Sequence, residues 1–172
     1  MDPLAALKLE HTSVLQELYS IDRQLAWLES SCPEKAPKIL VRLLSQSKRL
    51  ASDLSLHFQR EEKALYLLLE KRLVYNTEPV TVMKQEHIRL QECMKSFTSE
   101  VSRMIKEHDA VRTWALSSTL QCLRSELSDH LSREERVLFW LAELRLSRRD
   151  RNKVSFELAR MSKLSEPSPK QA

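Results

Sequence analysis

Glycine is absent from all 172 residues of this chain. Glycine supplies the φ > 0 turns on which tight β-hairpins depend, so its absence argues against an all-β or α/β fold. Proline is sparse: its six copies fall near the ends of the chain and at apparent helix starts. The three cysteines, Cys32, Cys93 and Cys122, are odd in number and show no CxxC spacing. They read as free thiols of a reducing compartment rather than as a disulfide framework. No apolar run approaches the ~20 residues that span a bilayer. The opening residues MDPLAALKLEH carry acids and a proline where a secretory signal would carry a basic segment and an apolar stretch. The expectation is a soluble, cytoplasmic protein.

What remains is rich in leucine, lysine, arginine, glutamate, serine and glutamine, most of them good helix formers. Net charge is +4, but 24 acidic residues are interspersed among 28 basic ones. That mixture describes a solvated surface, and no aromatic-interleaved basic patch suggests nucleic acid. Apolar residues recur at steps of three and four along four stretches. The first runs from about Pro3 to Glu29, with Leu4, Leu7, Val14, Leu15, Leu18, Ile21, Leu25 and Leu28 on one stripe. Ser31 to Glu34 reads as a capping box opening the second helix, which continues to about Leu73 through Leu40, Leu43, Leu50, Leu54, Leu65 and Leu68. A break at Asn76–Pro79 starts the third, which ends near Glu107. Asp109 is a candidate N-cap for the fourth, from about Val111 to Leu146, with Leu116, Leu120, Leu123, Leu127, Leu138 and Leu141 inward. Short connections make neighbours antiparallel, so the expected fold is all-α, an up-down-up-down four-helix bundle over residues 1–146. Residues 147–172 form a basic amphipathic extension with Val154, Leu158, Met161 and Leu164, then a frayed tail.

Some polar residues fall in phase with the core. Each helix places one histidine on its apolar stripe: His11, His57, His87 and His130. The second and fourth helices add a glutamate one turn on, Glu61 and Glu134. One inward histidine is ordinarily a hydrogen-bonded core residue. Six such groups in one core would be destabilising unless something neutralises them together, and cations do so. Other residues fit less well. His108 lies about 30 Å from His87 along the helix axis. Glu62 and Glu135 point roughly 100° away from the inward glutamates, toward the surface or an outer layer around the ligands. Tyr66 can donate a hydrogen bond near the His57–Glu61 turn, with packing the stronger expectation. Trp27, Trp114 and Trp140 are expected in the core or at its rim.

Imidazole with carboxylate and no inward thiolate favours iron, then manganese, over zinc. Six ligands exceed what one tetrahedral zinc uses, and glutamates on opposite helices can bridge two ions. Two iron ions with a solvent-derived bridge would each keep one open position.

Glu10-His11, the run HFQREEKALYLLLE from His57 to Glu70, Glu86-His87-Ile88, and HLSREERVLFWLAEL from His130 to Leu144 are similar to motifs of the hemerythrin-like, or HHE cation-binding, family. The doubled His-x-x-x-Glu-Glu-x-x-Leu pattern carries most of the resemblance, which covers about residues 4 to 146. It implies a four-helix bundle with a non-haem di-iron centre held by His11, His57, Glu61, His87, His130 and Glu134. The oxygen carriers of that family have an additional histidine one turn from the third-helix ligand, where this chain has Met83 and Gln91. They also place an aspartate five residues after the last histidine, where this chain has Glu134 at four and Glu135 at five. The ligand set is therefore most similar to the four-histidine, two-glutamate centres of iron–sulfur cluster repair-type members. The expected partner is a small molecule (O2, nitric oxide or peroxide) that is bound, sensed or transformed. An oxidase- or peroxidase-type enzyme is one alternative. Another is a regulatory module that contacts a protein partner through the basic extension from Arg148 to Leu164.

Overall fold

The computed structural model describes residues 2–30, 35–73, 75–107 and 112–165, and among these every long element is helical. The first rod is α1 (Pro3–Ser30). The second is α2 (Ala36–Arg60), a wide π-helical segment π1 (Glu61–Tyr66), and α3 (Leu67–Arg72). The third is α4 (Glu78–Glu107). The fourth repeats the design of the second: α5 (Arg112–Arg133), π2 (Glu134–Phe139) and α6 (Trp140–Arg145). In the antiparallel up-down-up-down bundle α1 packs on α2 and α5, and α4 packs on the same two. A fifth helix, α7 (Arg148–Ser165), follows.

Local chemistry explains the visible boundaries. Proline occupies the first turn of α2, where its missing N–H costs nothing. Asn76 Oδ1 accepts the Glu78 N–H at 3.0 Å and starts α4. The expected capping box at 31–34, the Asp109 cap and His108 lie outside the described residues. A capping box does form before α7: Asp150 N–H donates to Ser147 Oγ and Ser147 N–H donates to Asp150 Oδ2, both at 3.2 Å. Arg72, at the end of α3, donates to both oxygens of the buried Asp150 at 3.1 and 2.9 Å. The C-terminal extension is thereby fastened to the bundle, with Val154, Leu158 and Met161 buried against it.

The two wide turns alter the core register. In π1 the backbone runs five residues per hydrogen bond, as Leu67 N–H reaches the Glu62 carbonyl. One extra residue per turn rotates everything downstream by about 100°. Uniform helical phase expects Leu65 and Leu68 inside; the fold buries Leu65, Tyr66, Leu69 and Leu73 and leaves Leu68 half-buried. Beyond π2 the same slip buries Phe139, Ala142 and Leu146 and leaves Leu141 half-buried. The three tryptophans are another departure from expectation. Trp27, Trp114 and Trp140 are 51%, 78% and 55% exposed, outside the core altogether. Among the described residues, no helix is long and apolar enough to cross a membrane.

Two apolar clusters fill the interior. One, from Val14 and Leu18 through Leu50, Phe97 and Leu127, fills most of the bundle. The other, with Leu4, Leu7, Tyr66, Leu69, Val80, Phe139 and α7's Val154 and Leu158, closes one end. Between them lies a polar layer. The register slip makes a direct prediction. Leu69→Ala should destabilise the protein by about 2–5 kcal/mol in chemical denaturation, as expected for a fully buried leucine, and Leu68→Ala by clearly less. Equal losses would contradict the wide turn.

Candidate metal centre

The polar layer is made by residues that helical phase had placed inward. His11 comes from α1, His57 from the end of α2, Glu61 from the first position of π1, His87 from α4, His130 from α5, and Glu134 from the first position of π2. All six are at most 2% exposed. Ligand atoms of His11, His57, Glu61 and Glu134 all lie within 4.8 Å of one another, an arrangement able to hold a metal ion. His87 joins through Glu61, its Nε2 lying 3.4 Å from Oε2. His130 joins through His87, edge-on with ring centroids 4.9 Å apart. His11 and His57 make an equivalent edge-on pair, also at 4.9 Å.

Every imidazole is oriented the same way. Its Nδ1–H donates outward to a carboxylate on a neighbouring helix: His57 to Glu10 at 2.9 Å, His87 to Glu62 at 2.7 Å, His130 to Glu86 at 2.9 Å, and His11 to Glu135 at 2.8 Å. A carboxylate at Nδ1 keeps the proton there and turns the Nε2 lone pair inward, as ligation requires. Glu62 and Glu135 thus take the outer-layer role expected for them. Glu10 and Glu86 are additions. Their sequence signal is position: each precedes a ligand-type histidine by one residue and so points sideways, toward the next helix. Two arginines hold these carboxylates in turn. Arg60 Nη1 lies 2.6 Å from Glu10 Oε1, and Arg133 Nη2 donates to Glu86 Oε1 at 2.9 Å. Each arginine follows its histidine by three residues, in the repeated His-x-x-Arg-Glu-Glu.

Much of the inward side is left unsatisfied. His57 Nε2, His130 Nε2, Glu61 Oε2 and Glu134 Oε2 are buried without a hydrogen-bond partner. Such atoms are costly in a dry core, and a cation satisfies lone pairs and carboxylates together. Aromatic rings wall the layer. Phe58 stacks on His87 at 4.0 Å, Tyr66 stacks on the same imidazole at 5.6 Å, and Phe139 stacks on His11 at 5.5 Å. Tyr66 does more than pack: its hydroxyl donates to Glu134 Oε1 at 2.6 Å.

Without a cation, protons balance the charge. Burial opposes the charged form of His11, but Glu134 and Glu61 outweigh it and raise the imidazole to about 10. Burial likewise opposes charging His57, and Glu61 with Glu10 raises it to about 9. Glu61 is held well below the usual carboxylate range against its burial, mainly by His57 and His11. Glu134, buried beside the Glu61 charge, is pushed up to about 7. Burial dominates at His87, lowered to about 3, and also lowers His130.

Raised histidines stabilise the fold below their ordinary 6.5, and that contribution disappears as pH rises through about 9 and about 10. The raised Glu134 acts in the same direction, since deprotonation costs more in the folded chain than in the unfolded one. Below 6.5 the lowered His87 and His130 reverse the trend, because the unfolded chain binds protons that the folded chain excludes. The metal-free protein should therefore melt highest near neutral pH and lose thermal stability toward about pH 10. A melting temperature that climbs steadily from pH 7 to 10 would refute this charge balance.

Comparison with known proteins agrees with this geometry. Residues 2–150 match the hemerythrin HHE cation binding domain family. Among curated proteins, the iron-sulfur cluster repair protein YtfE of Escherichia coli O157:H7 is 29% identical over 105 residues, covering 60% of this chain and 46% of that protein. YtfE from Escherichia coli strain K12 / DH10B and from Shigella boydii serotype 18 match with the same identity and coverage. This chain aligns with about half the length of these relatives, and no solved structure gives a significant match. With a family match over nearly its whole length and a buried His/Glu cluster able to hold metal, the chain belongs to the hemerythrin HHE cation-binding family.

Proposed function

We propose that His11, His57, Glu61, His87, His130 and Glu134 hold two iron ions, and that the pair binds or reacts with a small molecule such as O2, nitric oxide or peroxide. One ion would sit between His11 and His57, the other between His87 and His130. The observation that carries this reading is the way Glu61 divides its oxygens. Oε1 lies 2.9 Å from His57 Nε2 and 3.4 Å from His11 Nε2, while Oε2 faces His87. A carboxylate with one oxygen toward each imidazole pair suits a bridge between two ions.

Iron, with manganese second, is the metal that mixed imidazole and carboxylate donors favour, since no thiolate of the described residues enters the layer. The relatives named as iron–sulfur cluster repair proteins handle the same metal. Bound iron would supply redox chemistry and coordination positions for a small ligand. The chain's own residues would do the rest. The Nδ1 carboxylates orient the imidazoles, the arginines hold Glu10 and Glu86 in place, and Phe58, Phe139 and the second apolar cluster keep bulk water away. Loading must also displace protons from the ligands, so uptake should strengthen as pH rises.

Metal analysis with optical spectra tests this reading. Protein loaded with ferrous iron and exposed to air should contain two irons per chain and show oxo-to-iron absorption that changes under nitric oxide. His57→Ala and His87→Ala should each lower the iron content below two. Glu86→Gln, which weakens the hold on His130, should reduce metal affinity by roughly 10–100-fold. A wild-type chain that takes up no iron, or only one, would end the two-metal reading.

A further inference from the structure

The second and fourth rods repeat the motif His-x-x-Arg-Glu-Glu around the centre, although Phe58 in the second has Leu131 as its counterpart in the fourth. His57, Arg60, Glu61 and Glu62 correspond to His130, Arg133, Glu134 and Glu135. Five residues beyond each inward glutamate, the wide turn brings an aromatic ring into the layer. Tyr66 lies on His87 with centroids 5.6 Å apart and planes at 17°. Phe139 lies on His11 at 5.5 Å and the same 17°. Both rings are fully buried, at 0% and 1% exposure. The two positions therefore differ by a single oxygen atom.

That oxygen sits among the ligand atoms. The Tyr66 hydroxyl donates to Glu134 Oε1 at 2.6 Å and lies 3.5 Å from His87 Nε2. Glu134 Oε2 points the other way, 3.3 Å from His11 Nε2. Phe139 has no group to offer Glu61, whose two oxygens stay available to both imidazole pairs. The His11–His57 side is thus faced by an oxygen from each glutamate, Glu61 Oε1 and Glu134 Oε2. On the His87–His130 side, the oxygen of Glu134 is already engaged by the phenol.

The geometry points to Tyr66 as the residue that makes the two metal positions unequal: by holding Glu134 Oε1 with its hydroxyl it reserves a coordination place on the His87–His130 side for a small anionic or diatomic ligand. This rests on the two-metal reading above. A hydroxyl that holds Glu134 Oε1 weakens one protein donor at that position, which is left with two imidazoles and Glu61. Without the phenol, Glu134 Oε1 would be released to fill that place itself. Tyr66 is in this sense a positioning residue for Glu134.

Iron-loaded, air-oxidised protein tests this with azide as the probe, after iron content has been measured. Fewer than two irons per chain would remove the two-metal reading itself, and this inference with it. With two irons present, Mössbauer spectra of the wild type should show two distinct quadrupole doublets, and azide should bind once per pair. Tyr66→Phe removes one oxygen and keeps the ring, so circular dichroism should be unchanged. The two doublets should then converge, and azide affinity should fall roughly ten-fold or more. Phe139→Tyr supplies the missing hydroxyl to the other side and should also bring the doublets together. Doublets and azide affinity unaltered in Tyr66→Phe would overturn the proposal. So would a phenolate-to-iron absorption band in the wild type that the substitution abolishes, since Tyr66 would then be a ligand and not a donor.

Discussion

Four imidazoles and two carboxylates share one fully buried layer, and the rest of the molecule is arranged around making that layer tolerable. In a medium of low polarity an unpaired carboxylate is costly, and so is an imidazole lone pair with nothing to accept. The chain meets the outer half of this demand itself. Each Nδ1–H goes to a carboxylate from the adjacent helix, so the four rods are laced together around the layer by four hydrogen bonds. The inner half is left open, with lone pairs converging on one small region. A fold that satisfies the outside of a polar cluster and leaves the inside unsatisfied is shaped to receive a cation.

The lacing also divides the core. Apolar side chains cannot pass through the polar layer, so they collect on either side of it. The larger cluster holds the bundle together and is ordinary leucine packing. The smaller one would be a shallow lid of helix ends if left alone. It acquires depth from α7, whose Val154 and Leu158 enter it and whose Asp150 is tied to Arg72. The C-terminal helix thus belongs to the shell that keeps the centre dry. Its apolar face is occupied by the chain's own core.

The two halves of the bundle repeat one motif around the layer and differ there at two aromatic positions, Phe58 against Leu131 and Tyr66 against Phe139. His-x-x-Arg-Glu-Glu recurs with the same geometry: histidine inward, arginine on the carboxylate that orients it, first glutamate inward, second glutamate on the next helix's histidine. Tyr66 and Phe139 differ only by the hydroxyl that reaches Glu134. The two rings have nearly the same shape and nearly the same contact with an imidazole.

Fold class, helix content and all six inward polar residues were legible in the sequence, because helical periodicity is a local property. Within one rod, a three- and four-residue recurrence is enough to say that His57 and Glu61 share a face. The same constancy of period misled beyond Glu61 and Glu134. It put Leu68 and Leu141 inside, when each wide turn inserts a residue and hands those places to Leu69 and Ala142. A π turn changes the phase, and nothing in the apolar pattern of a single helix marks where it occurs. Partnerships between rods were out of reach for a different reason. Whether Glu10 meets His57, Arg133 meets Glu86, or Arg72 meets Asp150 depends on how far each helix is rotated and slid against its neighbour. Helical period alone placed the six ligand-type side chains inward; which carboxylate and arginine aim each ring was settled by how the rods pack, since aiming a ring takes a second helix.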